Sequence, residues 1–181
     1  TTASDAKSRA RTSKLLSDRG AKAMFKPALV RAAICGHGVA LRPHFAVQLS
    51  LAAGLVRNTT SANARALGGE VYQALFAEYS EPYERQEIIC AMLTHAGSGA
   101  ASEVDAALRV LVELASRDPA GVAQFSSFLT GVLDYLDGLS VSQARLAFEL
   151  FARIAYDAHS GASRLADELQ ITIRKQLTST A

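Results

Sequence analysis

Apolar residues recur at three- and four-residue steps almost continuously from about residue 12 to the end of the chain, and the breaks fall at Gly, Pro, Ser and Asp. That period marks amphipathic helices. It predicts a first helix over residues 12–19, ended at Gly20, and a second from Pro27 to about Cys35, stopped by Gly36-His37-Gly38. Pro43 starts the next, with Phe45, Val47, Leu49, Leu51 and Leu55 inside it and a turn at Asn58-Thr59-Thr60. Residues 61–79 follow with Leu67, Val71, Leu75 and Phe76 on one stripe, and Gly68-Gly69 weakening and bending the middle. Pro82 opens a helix reaching His95, whose stripe is Ile88, Ile89, Met92 and Leu93.

In the second half, Ser102 with Asp105 three residues on reads as a capped start, with Val104, Leu108, Leu111 and Leu114 facing inward. Pro119 begins one helix carrying Val122, Phe125, Phe128, Leu129, Val132 and Leu136, and Ser140 caps another to about Tyr156. Ser163 starts the last, ending near Leu177. No stretch alternates with period two, so the fold class is all-α. Helix starts about 20 residues apart make pairs at a period near 40, which fits a HEAT-like α-solenoid of antiparallel helix pairs. An orthogonal helical bundle is the other packing this pattern allows. Residues 1–11 lack apolar periodicity and are expected to form a disordered basic tail ahead of a helical-repeat domain over residues 12–181.

Composition adds little to that picture, since 181 residues at 49% hydrophobic is ordinary globular material. No uninterrupted apolar stretch approaches a membrane span, and the start is polar and basic, so no membrane association is expected. Cys35 and Cys90 cannot make a disulfide framework and read as reduced core thiols, pointing to cytosol or nucleus. The lack of an initiating Met and the abrupt ends suggest a piece of something larger.

Charge is more informative. Residues 1–66 carry eleven Lys and Arg against Asp5 and Asp18, whereas residues 67–181 carry eight against fifteen acids. A basic first third suits phosphate, and Arg31, Arg42, Arg57 and Arg65 are its candidate DNA-phosphate contacts within the folded part. Lysine is absent between Lys26 and Lys175. Arginine is not a nucleophile at neutral pH and lysine can be, which makes Lys175 a candidate acceptor for acylation or ubiquitination.

Enzyme constellations are missing. Cys35-Gly36-His37-Gly38 with His44 falls short of the four ligands a structural zinc needs, and no other metal or cofactor site is expected. The carboxylates fall at helix starts and polar faces, where they cap and pair with Arg85 or Arg109. Gly97-Ser98-Gly99 follows no strand and precedes no phosphate-binding lysine. Phe125, Phe128, Tyr135, Phe148, Phe151 and Tyr156, like Tyr72, Phe76 and Tyr79, read as core aromatics, and Leu133 and Phe148 as packed core positions. On the last helix Ala166, Leu169, Ile173 and Leu177 form an apolar stripe, with Lys175 nearly opposite and Ile171 beside it.

Four segments occur in one order: residues 81–87 (Glu-Pro-Tyr-Glu-Arg-Gln-Glu) with 94–99 (Thr-His-Ala-Gly-Ser-Gly), 131–137 (Gly-Val-Leu-Asp-Tyr-Leu-Asp), and 173–177 (Ile-Arg-Lys-Gln-Leu). Together they resemble the N-terminal solenoid region of the Fanconi anaemia group D2 family, from about Cys35 to Ser179. The resemblance implies a non-enzymatic nuclear scaffold in interstrand-crosslink repair. It further implies that Lys175 is mono-ubiquitinated, with ubiquitin joined covalently by a ubiquitin-conjugating enzyme and the Fanconi ubiquitin ligase. Pairing with the group I paralogue around double-stranded DNA is the remaining implication, with Ile171, Arg174 and Gln176 as the partner surface beside the acceptor. The alternative is a sequence-independent nucleic-acid-binding helical repeat that uses the basic N-terminal third.

Overall fold

The computed structural model describes residues 3–156 together with Asp167, Gln170, Ile171 and Arg174. Every regular element among them is helical and none is a strand, so the fold is all-α. In chain order the helices are α1 (Ala3–Ala21), α2 (Pro27–Gly36), α3 (Gly38–Leu41), α4 (Phe45–Val56), α5 (Ala62–Glu78), α6 (Pro82–Ala96), α7 (Ala101–Arg117), α8 (Pro119–Ala123), α9 (Ser126–Leu129) and α10 (Val141–Ala155), with 3-10 segments at Arg42–His44 and Thr130–Gly138. The chain divides into two compact units, Thr1–Ile88 and Ile89–Ala181.

In the first unit α5 is the central element, packed against α4 and α2. Its stripe of Leu67, Val71, Tyr72, Leu75 and Phe76 is buried, and Leu55, Ala64 and Leu67 form a cluster that Ala21, Phe25, Val30 and Leu51 complete. The start of α5 is set locally: the Ser61 hydroxyl accepts from the Ala64 amide, and Asn58 Oδ1 accepts from the Thr60 and Ser61 amides. Gly68 does not bend the helix so much as let it touch. A Cβ there would lie 2.9 Å from Leu55 Cβ, Val56 Cγ2 and the Val56 backbone nitrogen, so a glycine is what allows α4 and α5 to cross this closely. At the other end Phe45 and Tyr79 meet edge to face with centroids 5.6 Å apart. The helical run Gly38–Val56 has the length and hydropathy of a membrane span. It is broken by the 3-10 turn, carries an ion-paired Arg42, and gives Phe45, Ala52, Leu55 and Val56 to the core.

The second unit is built on α7, which packs against α8 and α10. Val104, Leu108, Leu111 and Ala115 of α7 and Ala147, Leu150, Phe151 and Ile154 of α10 are buried, each set at helical spacing. Ser140 begins α10 with a complete capping box, its hydroxyl accepting from the Gln143 amide and its own amide donating to Gln143 Oε1. Gln143 also donates to the Ala101 carbonyl at 3.0 Å, tying the starts of α10 and α7 together.

Several expectations are corrected here. The helix α1 begins at Ala3, where an unstructured tail through residue 11 was expected; nothing before Gly20 breaks a helix, and Ala, Arg and Lys favour one even without an apolar stripe. Ser102 is not a cap: α7 starts at Ala101, Asp105 is held by Arg109 at 2.9 Å, and the Ser98 hydroxyl takes the Ala100 amide. The segment from Pro119 is not one helix but α8, α9 and a nine-residue 3-10 stretch, because Gly121, Ser126, Ser127, Thr130, Gly131 and Gly138 dilute its helix propensity. Within it Phe125, Leu129, Val132 and Leu136 still turn inward, while Phe128 and Tyr135 are 43% and 59% exposed. Tyr156 is exposed too, and Leu133 and Phe148 are only half-buried, so these five are not packed core positions.

Candidate functional site

The last predicted helix is described at four positions. Asp167, Gln170, Ile171 and Arg174 are helical and all exposed, and steps of three and four place them on one face. Ile171 is 65% exposed, an apolar side chain outward among polar ones, as its position opposite the apolar stripe predicted. Lys175 and Gln176 lie outside the described residues. In the sequence Lys175 follows Ile171 by four positions.

The four candidate phosphate contacts are less available than their charge suggested. Arg31 donates to Glu70 at 3.0 Å and to Gln73 at 3.2 Å, bridging α2 to α5. Arg42 is bidentate on Glu84, at 2.7 Å through Nε and 3.0 Å through Nη2, with Glu81 3.9 Å away. The hydrogen bond and charge of Glu84 hold its guanidinium above the usual arginine value, so it is fixed as a cation already matched to an anion. Arg65 donates to the Asn58 carbonyl at 2.7 Å, closing the turn before α5. Arg57 is exposed at the C-terminal end of α4.

Unmatched positive charge lies elsewhere, on α1. Lys7, Arg11 and Lys14 are exposed, stand at i, i+4 and i+7 on one face, and carry no ion pair among the described residues. Charge totals by region could not separate them from the arginines, since only the fold shows which cations have met carboxylates.

The segments that carried the family resemblance have structural work in these units. Glu84 is buried against Arg42, and Arg85 sits 4.4 Å over the Phe76 ring while donating to the Tyr79 carbonyl. His95, 1% exposed, lies 2.6 Å from Glu103, which closes the α6–α7 turn around Gly99 at φ +75°. Tyr83 and Tyr135 point outward. Cys35 is exposed rather than a core thiol; partial desolvation still pushes its thiol above the ordinary value, with Glu78 adding and Arg31 opposing, so at neutral pH it is not a thiolate nucleophile. No group of three or more His, Cys, Asp or Glu side chains placed to hold a metal ion occurs among the described residues.

Comparison with known proteins agrees with the sequence resemblance. The family described as Fanconi anaemia protein FancD2 nuclease matches residues 1–181. The chain belongs to the FancD2 family. It is similar to the Fanconi anemia group D2 protein homolog of Mus musculus, 36% identical over 114 residues covering 62% of this chain and 8% of the relative. The Rattus norvegicus homolog is 38% identical over 104 residues, 57% of this chain and 7% of the relative. The Gallus gallus Fanconi anemia group D2 protein is 28% identical over 175 residues, 97% of this chain and 12% of the relative. The chain therefore spans about a tenth of the length of these FancD2 relatives.

Proposed function

We propose that this chain is a non-enzymatic scaffold segment of a FancD2 protein, acting in the nucleus in interstrand-crosslink repair. Its chemical task is to offer Lys175 to a ubiquitin-conjugating enzyme and the Fanconi ubiquitin ligase. The neutral amine attacks the thioester carbonyl that joins ubiquitin to the conjugating enzyme; the cysteine thiolate leaves, an isopeptide bond forms, and the amine gives up its proton. Mono-ubiquitination then holds the group I paralogue in place around double-stranded DNA. The observation supporting this reading is the exposed helical stripe Asp167, Gln170, Ile171 and Arg174, which stands just ahead of Lys175 in the sequence. An outward isoleucine, 65% exposed, costs exposed apolar area unless a partner covers it. Ubiquitin transfer to the chain by that enzyme and ligase tests the reading: one ubiquitin is expected, and Ile171→Asp should slow its addition without changing helix content. Wild-type transfer rates in Ile171→Asp would remove Ile171 from the partner surface.

A second reading, favoured by the unmatched stripe on α1, is sequence-independent binding to nucleic-acid phosphate. Arg31, Arg42 and Arg65 are occupied within the unit, so Lys7, Arg11 and Lys14 are the stronger contacts and Arg57 a lesser one. Reversing the three α1 charges to Glu should weaken duplex binding at least about tenfold, while Arg31→Ala should leave it nearly unchanged. The opposite ranking would return the contact to the folded arginines.

A further inference from the structure

Two hydroxyls on α1, on the side of the helix away from the stripe of Lys7, Arg11 and Lys14, are used by neither reading. Thr12 and Ser13 stand in the run Arg9-Ala10-Arg11-Thr12-Ser13-Lys14, and both are exposed. Thr12 Oγ1 donates to the Ser8 carbonyl at 3.1 Å, a bond inside the helix that a competing acceptor replaces at little cost. Residues 6–8 and 10–15 are all exposed, whereas the far end of α1 is fastened: Gly20 is buried beside Leu67 and Leu55, and the Ala21 carbonyl accepts from Ser61 and Asn63. A helix anchored at one end opens first at the other, which supplies the extended segment a modifying enzyme reads.

We propose that Thr12 is a phosphorylation site for an arginine-directed serine/threonine kinase, and that phosphate there switches off the affinity of α1 for polyanions. This rests on the nucleic-acid reading of α1. Arg9, three residues before Thr12, and Arg11, directly before it, supply the cations that the acidic substrate groove of such a kinase accepts; Ser13 has Ala10 at the corresponding third position. The Thr12 oxygen attacks the γ-phosphorus of a nucleoside triphosphate, the bond to the bridging β–γ oxygen breaks, the diphosphate leaves, and the hydroxyl proton passes to the kinase's carboxylate base. The sequence of α1 holds five cations, Lys7, Arg9, Arg11, Lys14 and Arg19, against two acids, Asp5 and Asp18, a net of three positive charges. A phosphate brings about −1.5 to −2, which cancels half or more of that net charge. All three stripe residues lie within five positions of Thr12, about 8 Å along the helix axis, which is comparable to the Debye length at ~0.15 M salt.

The test uses the chain of residues 1–181, ATP and the catalytic subunit of cAMP-dependent protein kinase. Mass spectrometry maps the phosphate, and fluorescence anisotropy follows a labelled DNA duplex at ~0.1 M salt before and after treatment. One phosphate on Thr12 and about tenfold weaker duplex binding are expected, with Thr12→Ala taking no phosphate there and binding the same after treatment as before. Phosphate elsewhere, or none, overturns the site; phosphate on Thr12 with undiminished affinity overturns the switch. If the untreated chain fails to bind the duplex at all, the nucleic-acid reading itself falls, and the switch with it.

Discussion

Gly68 shows how much a single position can carry. Its missing Cβ is the space in which α4 crosses α5, with backbone as well as side chain on the far side. Gly68→Ala should therefore destabilise the first unit by about 1–3 kcal/mol, seen as a lower urea midpoint, although alanine is the better helix former. A more stable variant would mean that the helices can separate without loss. The sequence places Gly68-Gly69 mid-helix and marks the pair as unusual, but the partner atoms lie at residues 55 and 56, beyond any local pattern. Ser140 is the contrasting case. Its capping box involves only Gln143, three residues on, so the cap was legible from the sequence; Ser140→Ala should cost about 1 kcal/mol. Likewise the unmatched charges of Lys7, Arg11 and Lys14 were visible only once Arg31 and Arg42 had found Glu70 and Glu84 across the fold.

At the scale of elements, helices with one clean stripe were readable and the segment after Pro119 was not. The buried residues of α7 and α10 repeat every three or four positions, and both helices run nearly where that repeat places them. Between them, inward Phe125, Leu129, Val132 and Leu136 keep a helical period through backbone that is partly 3-10, because side-chain spacing hardly distinguishes short turns of either kind. Aromatic residues in that stretch read as inward by type, and the broken helix turns Phe128 and Tyr135 outward. Phe151→Ala, which removes a fully buried ring, should cost about 3–5 kcal/mol. Tyr135→Ala should stay within about half a kcal/mol. Thermal or urea denaturation of the pair checks the inward and outward faces together; equal losses would contradict them.

For the whole molecule, charge and the proposed function point to different surfaces, and each has its own measurement. Duplex binding through α1 should fall steeply as salt rises from ~50 to ~200 mM, because phosphate neutralisation releases counterions. Binding that ignores salt would contradict a phosphate contact. The proposed function bears instead on the exposed stripe at Asp167, Gln170, Ile171 and Arg174. There the sequence marks Lys175 first by its isolation among arginines, a feature that needs no fold to see. The central claim is that Lys175 is the acceptor, and mass-spectrometric mapping of the ubiquitin remnant on wild-type and Lys175→Arg chains tests it most directly. Arginine keeps the charge and nearly the length while removing the nucleophile, so the fold should be unchanged. The account predicts a single remnant on Lys175 in the wild type and no transfer to the variant. Transfer to Lys175→Arg at the wild-type rate, on Lys7, Lys14, Lys22 or Lys26, would contradict it.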